Sequence, residues 1–163
     1  MQIIKGKRDS IRKLIRRKCK VEIACRAFIF WKNKILLCKQ KKPPRNFWVL
    51  PGGSLEEGET LFKCISREIT EEIGITLEID QMLFVREMIN SSRHRIEFYF
   101  STIVPESRKI FDDIKACSEI GDVCFFSLEE LLSITYKPEC LPSLIQEIID
   151  KSSTFPRYLG NVS

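Results

Sequence analysis

The sequence of 163 residues has few of the features that mark membrane, secreted or zinc-binding proteins. No apolar run approaches the roughly 18–20 residues that cross a bilayer, which argues against a membrane-spanning helix. The first residues show no apolar segment followed by small side chains, so we expect a cytoplasmic protein rather than a secreted one. A single histidine and the lack of any C-x-x-C pair leave little from which to build a zinc site.

Cysteine, by contrast, is abundant, because the chain holds seven of them. An odd number without paired spacing is not typical of a disulfide framework. Most of these cysteines lie among apolar neighbours, as in "LLCKQ" and "DVCFF". We therefore predict reduced thiols that are buried and act as small apolar side chains.

The net charge of +5 is unevenly divided along the chain. Residues 1–20 carry nine Lys or Arg and one Asp, whereas the rest of the chain carries 18 basic and 21 acidic residues. The apolar residues within "SIRKLIRRK" favour a short helix that packs one stripe on the domain. Attraction to nucleic acid or anionic lipid, or a mitochondrial presequence, are the less favoured alternatives. We divide the chain into a basic arm (1–20), one domain (21–152) and a loose tail (153–163).

Apolar periodicity predicts a mixed order of strands and helices. The expected strands are 21–31, 35–40, 47–50, 75–88, 96–104 and 122–126, and the expected helices are 60–73, 127–134 and 141–153. Loops are expected at 41–46 and 89–95, and the pattern of 105–119 supports no more than one short edge strand. This order is typical of a mixed sheet flanked by helices, in the α/β or α+β class.

Three glutamates fall within five residues near the end of the predicted helix 60–73. Glu68, Glu71 and Glu72 repel one another at helical spacing, and they lie near the negative end of the helix dipole. A helical wheel places them at the margin of the apolar stripe, where they could face a cleft and a divalent cation. Carboxylates without histidine or cysteine select Mg²⁺, Mn²⁺ or Ca²⁺. Taken alone, these residues are more typical of a solvated acidic face.

The residues upstream of the helix favour the cation site. Gly52 and Gly53 in "PGG" allow the backbone to approach a ligand or an ion closely. Glu59 stands eight residues before Arg67, so the two can pair and fix the loop against the helix. A rigid loop and helix that present carboxylates to a metal form a coherent arrangement.

The stretch "GSLEEGETLFKCISREITEEIGI" resembles the Nudix box, G-x5-E-x7-R-E-U-x-E-E-x-G-U, in which U is a bulky aliphatic residue. All nine defined positions are met, by Gly53, Glu59, Arg67, Glu68, Ile69, Glu71, Glu72, Gly74 and Ile75. The lead-in "WVLPGG", the flanking strands, "EIGDVCFFSLEEL" and the closing helix extend the resemblance to about residues 21–152.

The resemblance implies a Nudix-type α/β/α sandwich and a hydrolase. Enzymes of this family cleave a pyrophosphate bond in a nucleoside diphosphate linked to another moiety, X. They need Mg²⁺ or Mn²⁺, which neutralises charge on the pyrophosphate oxygens and helps to orient water. Loss of box residues is common in family members that only bind ligands, and no box residue is lost here.

The resemblance assigns metal-binding roles to four residues of this sequence. Glu68 and Glu72 are expected as metal ligands and catalytic residues, with Glu71 and the Gly53 carbonyl as further ligands.

The resemblance also implies an orienting ion pair and a carboxylate outside the box. Arg67 is expected to orient the site together with Glu59. A carboxylate outside the box often serves as a ligand or general base, for which Glu119 is favoured and Glu97 is the rival. The base itself is left open between Glu68 and Glu119.

Substrate choice in this family depends on residues outside the box. Arg93 and Arg95 are candidates for contacting phosphate, although an exposed loop is the plainer interpretation. Marks of several sub-families are absent, which leaves a nucleoside triphosphate or related nucleotide as the expected substrate. Alternatives are the 5′ end of RNA, guided by the basic arm, and a ligand-binding module without catalysis. A homodimer is left open, because many family members are dimers but no interface pattern stands out.

Overall fold

A computed structural model describes residues 21–41, 46–90, 93–107, 110–151 and 154–161. The predicted basic arm and most of the proline-containing loop lie outside these ranges. No helix in the part of the chain that is described has the length and apolar character needed to cross a membrane.

Eight strands within the described residues form one mixed sheet in the order β7-β3-β2-β1-β5-β4-β8, with β6 paired to β2. Their bounds are Val21–Trp31 (β1), Lys34–Gln40 (β2), Trp48–Val49 (β3), Gln81–Ile89 (β4), His94–Ile103 (β5), Ile120–Phe126 (β6), Tyr136–Lys137 (β7) and Arg157–Asn161 (β8). The helices are Leu61–Ile73 (α1), Ile110–Asp113 (α2), Leu128–Leu131 (α3) and Leu141–Asp150 (α4).

The long strand β1 changes its partner along its length. At Phe30 and Trp31 it pairs with β2 in a tight hairpin. Nearer its start, the segment 51–55 takes the place of β2 along this edge. The Cys25 amide donates to the Gly53 carbonyl at 2.9 Å, and the Ala27 amide donates to the Pro51 carbonyl at 3.0 Å. The loop that precedes α1 is therefore hydrogen-bonded to the sheet.

Helix α1 is defined at both ends by local sequence. The Thr60 hydroxyl accepts a hydrogen bond from the Lys63 amide, as an N-cap residue does. Gly74 ends the helix in the left-handed region, with a φ of 73° that glycine adopts without a Cβ penalty. Both ends agree with the prediction of a helix over 60–73.

The sheet is covered on both faces, which confirms the predicted sandwich of helices around a mixed sheet. Alternate residues of the strands point to opposite faces. One face packs Cys25, Ala27 and Phe100 against α1. The other packs Phe28, Tyr99 and Phe84 against α4. The six cysteines in the described residues are free thiols, as predicted. The prediction that they are buried holds for Cys25, Cys38 and Cys64, whereas Cys117, Cys124 and Cys140 are only partly buried.

The predicted strand 75–88 begins later than expected, at Gln81. Ile75, Leu77 and Ile79 alternate as strand residues do, but they pack on the core beside α1 without joining the ladder. At its other end, the predicted loop 89–95 is shorter, because β4 reaches Ile89 and β5 begins at His94. Register with neighbouring strands, rather than local pattern, sets both limits.

The short edge strand that the pattern of 105–119 allowed is not found in the described part of that segment. The described part of this segment contains one helical turn, Ile110–Asp113. The segment then docks on the end of α1, where the amides of Lys115 and Cys117 donate to the carbonyls of Ile73 and Glu72 at 2.8 and 2.9 Å. These contacts supply partners for carbonyls that a helix end leaves free.

The prediction of a loose tail is wrong for residues 157–161, which form β8. This strand runs parallel to β4, with Phe84 opposite Arg157 and Val85 opposite Tyr158. Phe155 packs edge-on against Phe84, with ring centroids 5.2 Å apart. The tail is therefore part of the sheet and of the core on the α4 side.

Candidate active site

The three glutamates of α1 lie beside the buried stripe of that helix. Cys64, Ile65, Ile69 and Ile73 are buried against the sheet. The Glu68 side chain is 14% exposed, whereas that of Glu71 is 59% exposed. The carboxylates thus occupy the margin that the helical wheel predicts, with Glu68 turned inward and Glu71 turned to solvent.

Arg67 joins the loop to the helix and offsets the repulsion between its acidic neighbours. Its Nε donates to Glu59 Oε1 at 2.9 Å and its Nη2 to Glu59 Oε2 at 3.0 Å, a bidentate pair. Its Nη1 donates to Glu68 at 2.9 Å and to Glu71 at 3.0 Å. The hydrogen bonds that Arg67 donates to Glu59, and then those to Glu68 and Glu71, raise the pKa of Arg67 although burial acts in the opposite direction. The structure thus brings together four of the predicted residues.

Glu72 is held by the loop rather than by Arg67. The Gly52 amide donates to Glu72 Oε2 at 2.8 Å. Burial, together with the nearby charges of Glu68 and Glu119, raises the pKa of Glu72 to about 7, although the Gly52 amide and Arg26 act in the opposite direction. This carboxylate therefore lies in a site that disfavours its negative charge unless a cation is added.

Both loop glycines are required by close approaches. A Cβ at Gly53 would lie 2.4 Å from the carboxylate atoms of Glu68. Gly52 has a φ of 128°, and a Cβ there would lie 2.2 Å from the Cys25 carbonyl oxygen. The Gly53 carbonyl, predicted as a metal ligand, accepts the Cys25 amide and keeps its second lone pair for another partner.

The donor set fits a hard divalent cation, although the site is not closed. Glu68 packs on Gly53 and Glu72 is bonded to Gly52, so both carboxylates are fixed to the same loop. The described residues contain no group of three or more acidic, histidine or cysteine side chains already arranged around one point. Glu71 is turned toward Arg67. An ion here would complete its shell with water and substrate oxygens, as Mg²⁺ usually does.

The two carboxylates proposed from outside the box have different surroundings. Glu119 is exposed and lies close enough to Glu72 to raise its pKa. The segment before it is tied to α1 through the Cys117 amide. Glu97 is buried on β5 among arginines and accepts the Tyr99 hydroxyl at 2.6 Å. The geometry therefore places Glu119, and not Glu97, beside the carboxylates of α1.

A cavity of about 390 Å³ opens on the face of the sheet opposite α1. Arg93 and Arg95, the two predicted phosphate contacts, both line it. Arg93 is paired with Glu22, to which its Nε donates at 2.8 Å. Arg95 is buried, because it lies inside β5 rather than in the loop that the sequence suggested.

Arg26 and Arg86 also line this cavity, and sequence reasoning missed them. Polar residues at the inward-facing positions of otherwise apolar strands were the available signal. The guanidinium of Arg26 donates to the Gly52 carbonyl, which connects the cavity to the loop at the carboxylates.

The mixed sheet, the Gly52–Gly53 loop and helix α1 with its three glutamates define a domain of the Nudix type. The sequence profile of the NUDIX domain matches residues 22–147. The chain belongs to the Nudix family.

Curated relatives and solved structures agree with this placement. An ADP-ribose pyrophosphatase of Methanocaldococcus jannaschii is 33% identical over 110 residues, which is 66% of this chain and 62% of that protein. An 8-oxo-dGTP diphosphatase of Buchnera aphidicola is 35% identical over 85 residues, 51% of this chain and 63% of that protein. The chain thus spans less than two thirds of the length of these relatives. A MutT protein from Methanosarcina mazei Go1 shares the fold, with a TM-score of 0.67 at 22% identity over 84% of this chain and 99% of that chain.

Proposed function

We propose that this protein hydrolyses a pyrophosphate bond in a nucleoside diphosphate linked to a moiety X, with Mg²⁺ or Mn²⁺ as cofactor. The observation that supports this most strongly is the attachment of two inward-facing carboxylates, Glu68 and Glu72, to one glycine loop. Family membership and the names of the relatives agree with it. A nucleoside triphosphate or a related nucleotide is the proposed substrate.

The proposed cation site consists of oxygen donors from α1 and from the loop before it. Glu68 and Glu72 would hold the cation, with Glu71 and the Gly53 carbonyl as further oxygen donors. The cation supplies charge neutralisation at the pyrophosphate oxygens when it is bound. The Gly52 amide fixes the orientation of the Glu72 carboxylate.

Arg67 is proposed to align the site, and either Glu68 or Glu119 is proposed to transfer the proton. Arg67, braced by Glu59, aligns Glu68. The residue that accepts the proton of the attacking water is Glu68 or Glu119, both of which lie on this side of the domain.

The decisive test is a panel of nucleotide derivatives with Mg²⁺ or Mn²⁺, scored by formation of the nucleoside monophosphate. The variant Glu72→Gln should lower kcat at least about a hundredfold, because it removes a charged group that is needed at the reacting centre. Glu57→Gln is the matched control, since Glu57 is an exposed glutamate of the preceding loop. Undiminished turnover by Glu72→Gln would refute the catalytic proposal, and a flat panel would favour a ligand-binding module.

RNA with a 5′-triphosphate is the second candidate, favoured by the nine basic residues within residues 1–20. RNA affinity that depends on salt and is lost on deletion of this arm would support it. Unchanged activity on free nucleotides after the deletion would favour the small-molecule substrate. A cytoplasmic location, a homodimer and a basic arm separate from the domain remain predictions.

A further inference from the structure

Three arginines surround one carboxylate on the face of the sheet opposite α1. Glu97 lies 3.6 Å from Arg26 Nε, 3.4 Å from Arg86 Nη2 and 3.7 Å from Arg95 Nε. Burial alone would raise the pKa of Glu97, but Arg26, the Tyr99 hydroxyl and the other two arginines outweigh it and lower that pKa. The ionised Glu97 therefore neutralises only one of three positive charges. We call Arg26, Arg86, Arg95 and Glu97 the arginine cluster.

The cluster is assembled by strand register. Arg86 on β4 stands opposite Glu97 on β5. On the other side of β5, Arg26 of β1 stands opposite Tyr99. Arg95 precedes Glu97 by two positions, so its side chain emerges on the same face. Four charged groups from three neighbouring strands therefore converge at one place.

Two of these arginines have buried donors without partners. Arg86 is 5% exposed, and its Nε and Nη1 make no hydrogen bond within the described structure. Arg95 is 9% exposed, and its Nε is likewise unpartnered. Burial and the nearby Arg26 lower the pKa of Arg95, as expected where positive charge is in excess. Buried donors without acceptors are costly, which suggests that an anion satisfies them.

The cavity has the size and the walls for a ligand group larger than a single anion. Its volume of about 390 Å³ lies within the range of small-molecule sites. Phe47, Val49 and Met88 provide apolar wall beside the arginine cluster. An acidic group on a sugar-sized body fits this combination of charged and apolar lining.

The cavity is also connected to the proposed reaction site. Arg26 touches both, because its guanidinium bonds the Gly52 carbonyl while its Nε faces Glu97. The Gly52 amide bonds Glu72. One residue, Gly52, thus lies between the arginine cluster and a proposed metal ligand, as a substrate that bridges the two sites would require.

We propose that the arginine cluster binds a phosphomonoester carried by the substrate, separate from the pyrophosphate that is cleaved. This proposal rests on the proposed function and narrows it to nucleotide derivatives with an additional terminal phosphate. Three guanidinium groups surround the one buried carboxylate of Glu97, with Glu72 near Arg26 and Glu22 near Arg95 as further acidic neighbours. This local excess of arginine favours a phosphate dianion, whose oxygens guanidinium groups suit by bidentate donation. Arg86 and Arg95 determine specificity, and Glu97 positions them.

Binding of inorganic phosphate, measured by calorimetry with EDTA present, tests the site without any metal or turnover. The intact protein should bind phosphate, and Arg86→Gln should weaken binding at least about tenfold because it removes charged donors. Lys34→Gln is the control, since it removes one positive charge from an exposed pair with Glu130. Lys34→Gln should leave phosphate affinity unchanged.

Arg86→Lys and Arg95→Gln are included in case Arg86→Gln does not fold. The melting temperature of each variant shows whether it is folded. Arg86→Lys keeps the charge but loses the planar fork, so its phosphate affinity should fall between those of the wild type and Arg86→Gln. Absence of phosphate binding by the intact protein would overturn the proposal. So would a folded Arg86→Gln that binds phosphate as tightly as the wild type, since the cluster would then be a structural ion network.

A kinetic comparison separates this proposal from the proposed function. The substrates are a nucleoside diphosphate sugar and the same compound with a phosphomonoester on its sugar. The phosphorylated member should have the lower KM, and Arg86→Gln should abolish that difference with little change in kcat. Equal KM values for the two members would refute the phosphate site while leaving pyrophosphate hydrolysis intact, whereas a wild-type protein that turns over neither member would refute the hydrolysis itself.

Discussion

At the scale of single residues, Arg67 makes the acidic end of α1 tolerable. Without it, Glu59, Glu68 and Glu71 would repel one another across the loop and the helix. Its guanidinium offers enough donors in fixed geometry to reach all three carboxylates and the Ser54 carbonyl. One side chain therefore stabilises the loop–helix junction and aims Glu68.

Substitution of Arg67 by Gln should damage both functions of this side chain. Loss of the pair with Glu59 frees the loop from the helix, and Glu68 loses its alignment. We expect kcat/KM to fall about 10–100-fold, as for other groups that orient metal ligands, and the melting temperature to fall as well. Steady-state kinetics with a thermal melt checks this. Lys63→Gln, on the exposed side of α1, should change neither quantity.

At the scale of elements, the loop 51–55 and helix α1 act as one unit because glycine removes the side chain where they touch. The Gly53 backbone lies against the Glu68 carboxylate, and the Gly52 amide bonds Glu72. The contacts join consecutive loop residues to successive turns of the helix. A displacement of the loop would therefore move both carboxylates together.

Gly53→Ala should separate these two elements without unfolding the domain. Its Cβ would lie 2.4 Å from the Glu68 carboxylate, so this side chain must move. We expect turnover to fall roughly a hundredfold, since a misplacement of about 1 Å at a reacting centre has that effect. The far-ultraviolet circular dichroism spectrum should be unchanged. Ser54→Ala, at an exposed neighbouring position, should retain wild-type turnover, and equal activity of Gly53→Ala would contradict the close contact.

At the scale of the whole molecule, the charge at Glu72 links stability to pH. The pKa of about 7 in the folded protein lies above the ordinary value of 4.5, so the folded state binds more protons between these values. Stability of the metal-free protein should therefore fall as pH rises from about 4.5 to 7 and stay low above it. The loss is on the order of 3 kcal/mol at most, from about 1.4 kcal/mol per pH unit.

Urea denaturation with EDTA at pH 5 and pH 8 measures this dependence. Glu72→Gln should be more stable than the wild type at pH 8 and similar to it at pH 5, because the amide carries no charge. Added Mg²⁺ should stabilise the wild type more at pH 8 than at pH 5. Equal wild-type stability at both values would contradict the proposed environment of Glu72.

The parts of the molecule that the sequence predicts well are those encoded by neighbouring residues. Helix α1, its caps at Thr60 and Gly74, and the pairing of Glu59 with Arg67 all lie within one short stretch, where spacing determines geometry. The metal role of that stretch is still a proposal, but its arrangement could be read from periodicity.

The parts that the sequence does not predict depend on strand register. Arg86 meets Glu97 only because β4 pairs with β5 in one particular alignment. In the same way, Arg157–Asn161 becomes a strand because β4 offers it a free edge. A local pattern contains neither piece of information, since the partners are distant in the chain.

The pairing of β1 with the loop 51–55 has a consequence for how a ligand is received. Three main-chain hydrogen bonds hold this loop to β1, from Cys25, Ala27 and Leu55. The loop therefore loses its conformational entropy during folding, so nucleotide binding does not have to order it again. A change in substrate preference is then expected to require substitutions in the cavity lined by the arginine cluster rather than in the loop.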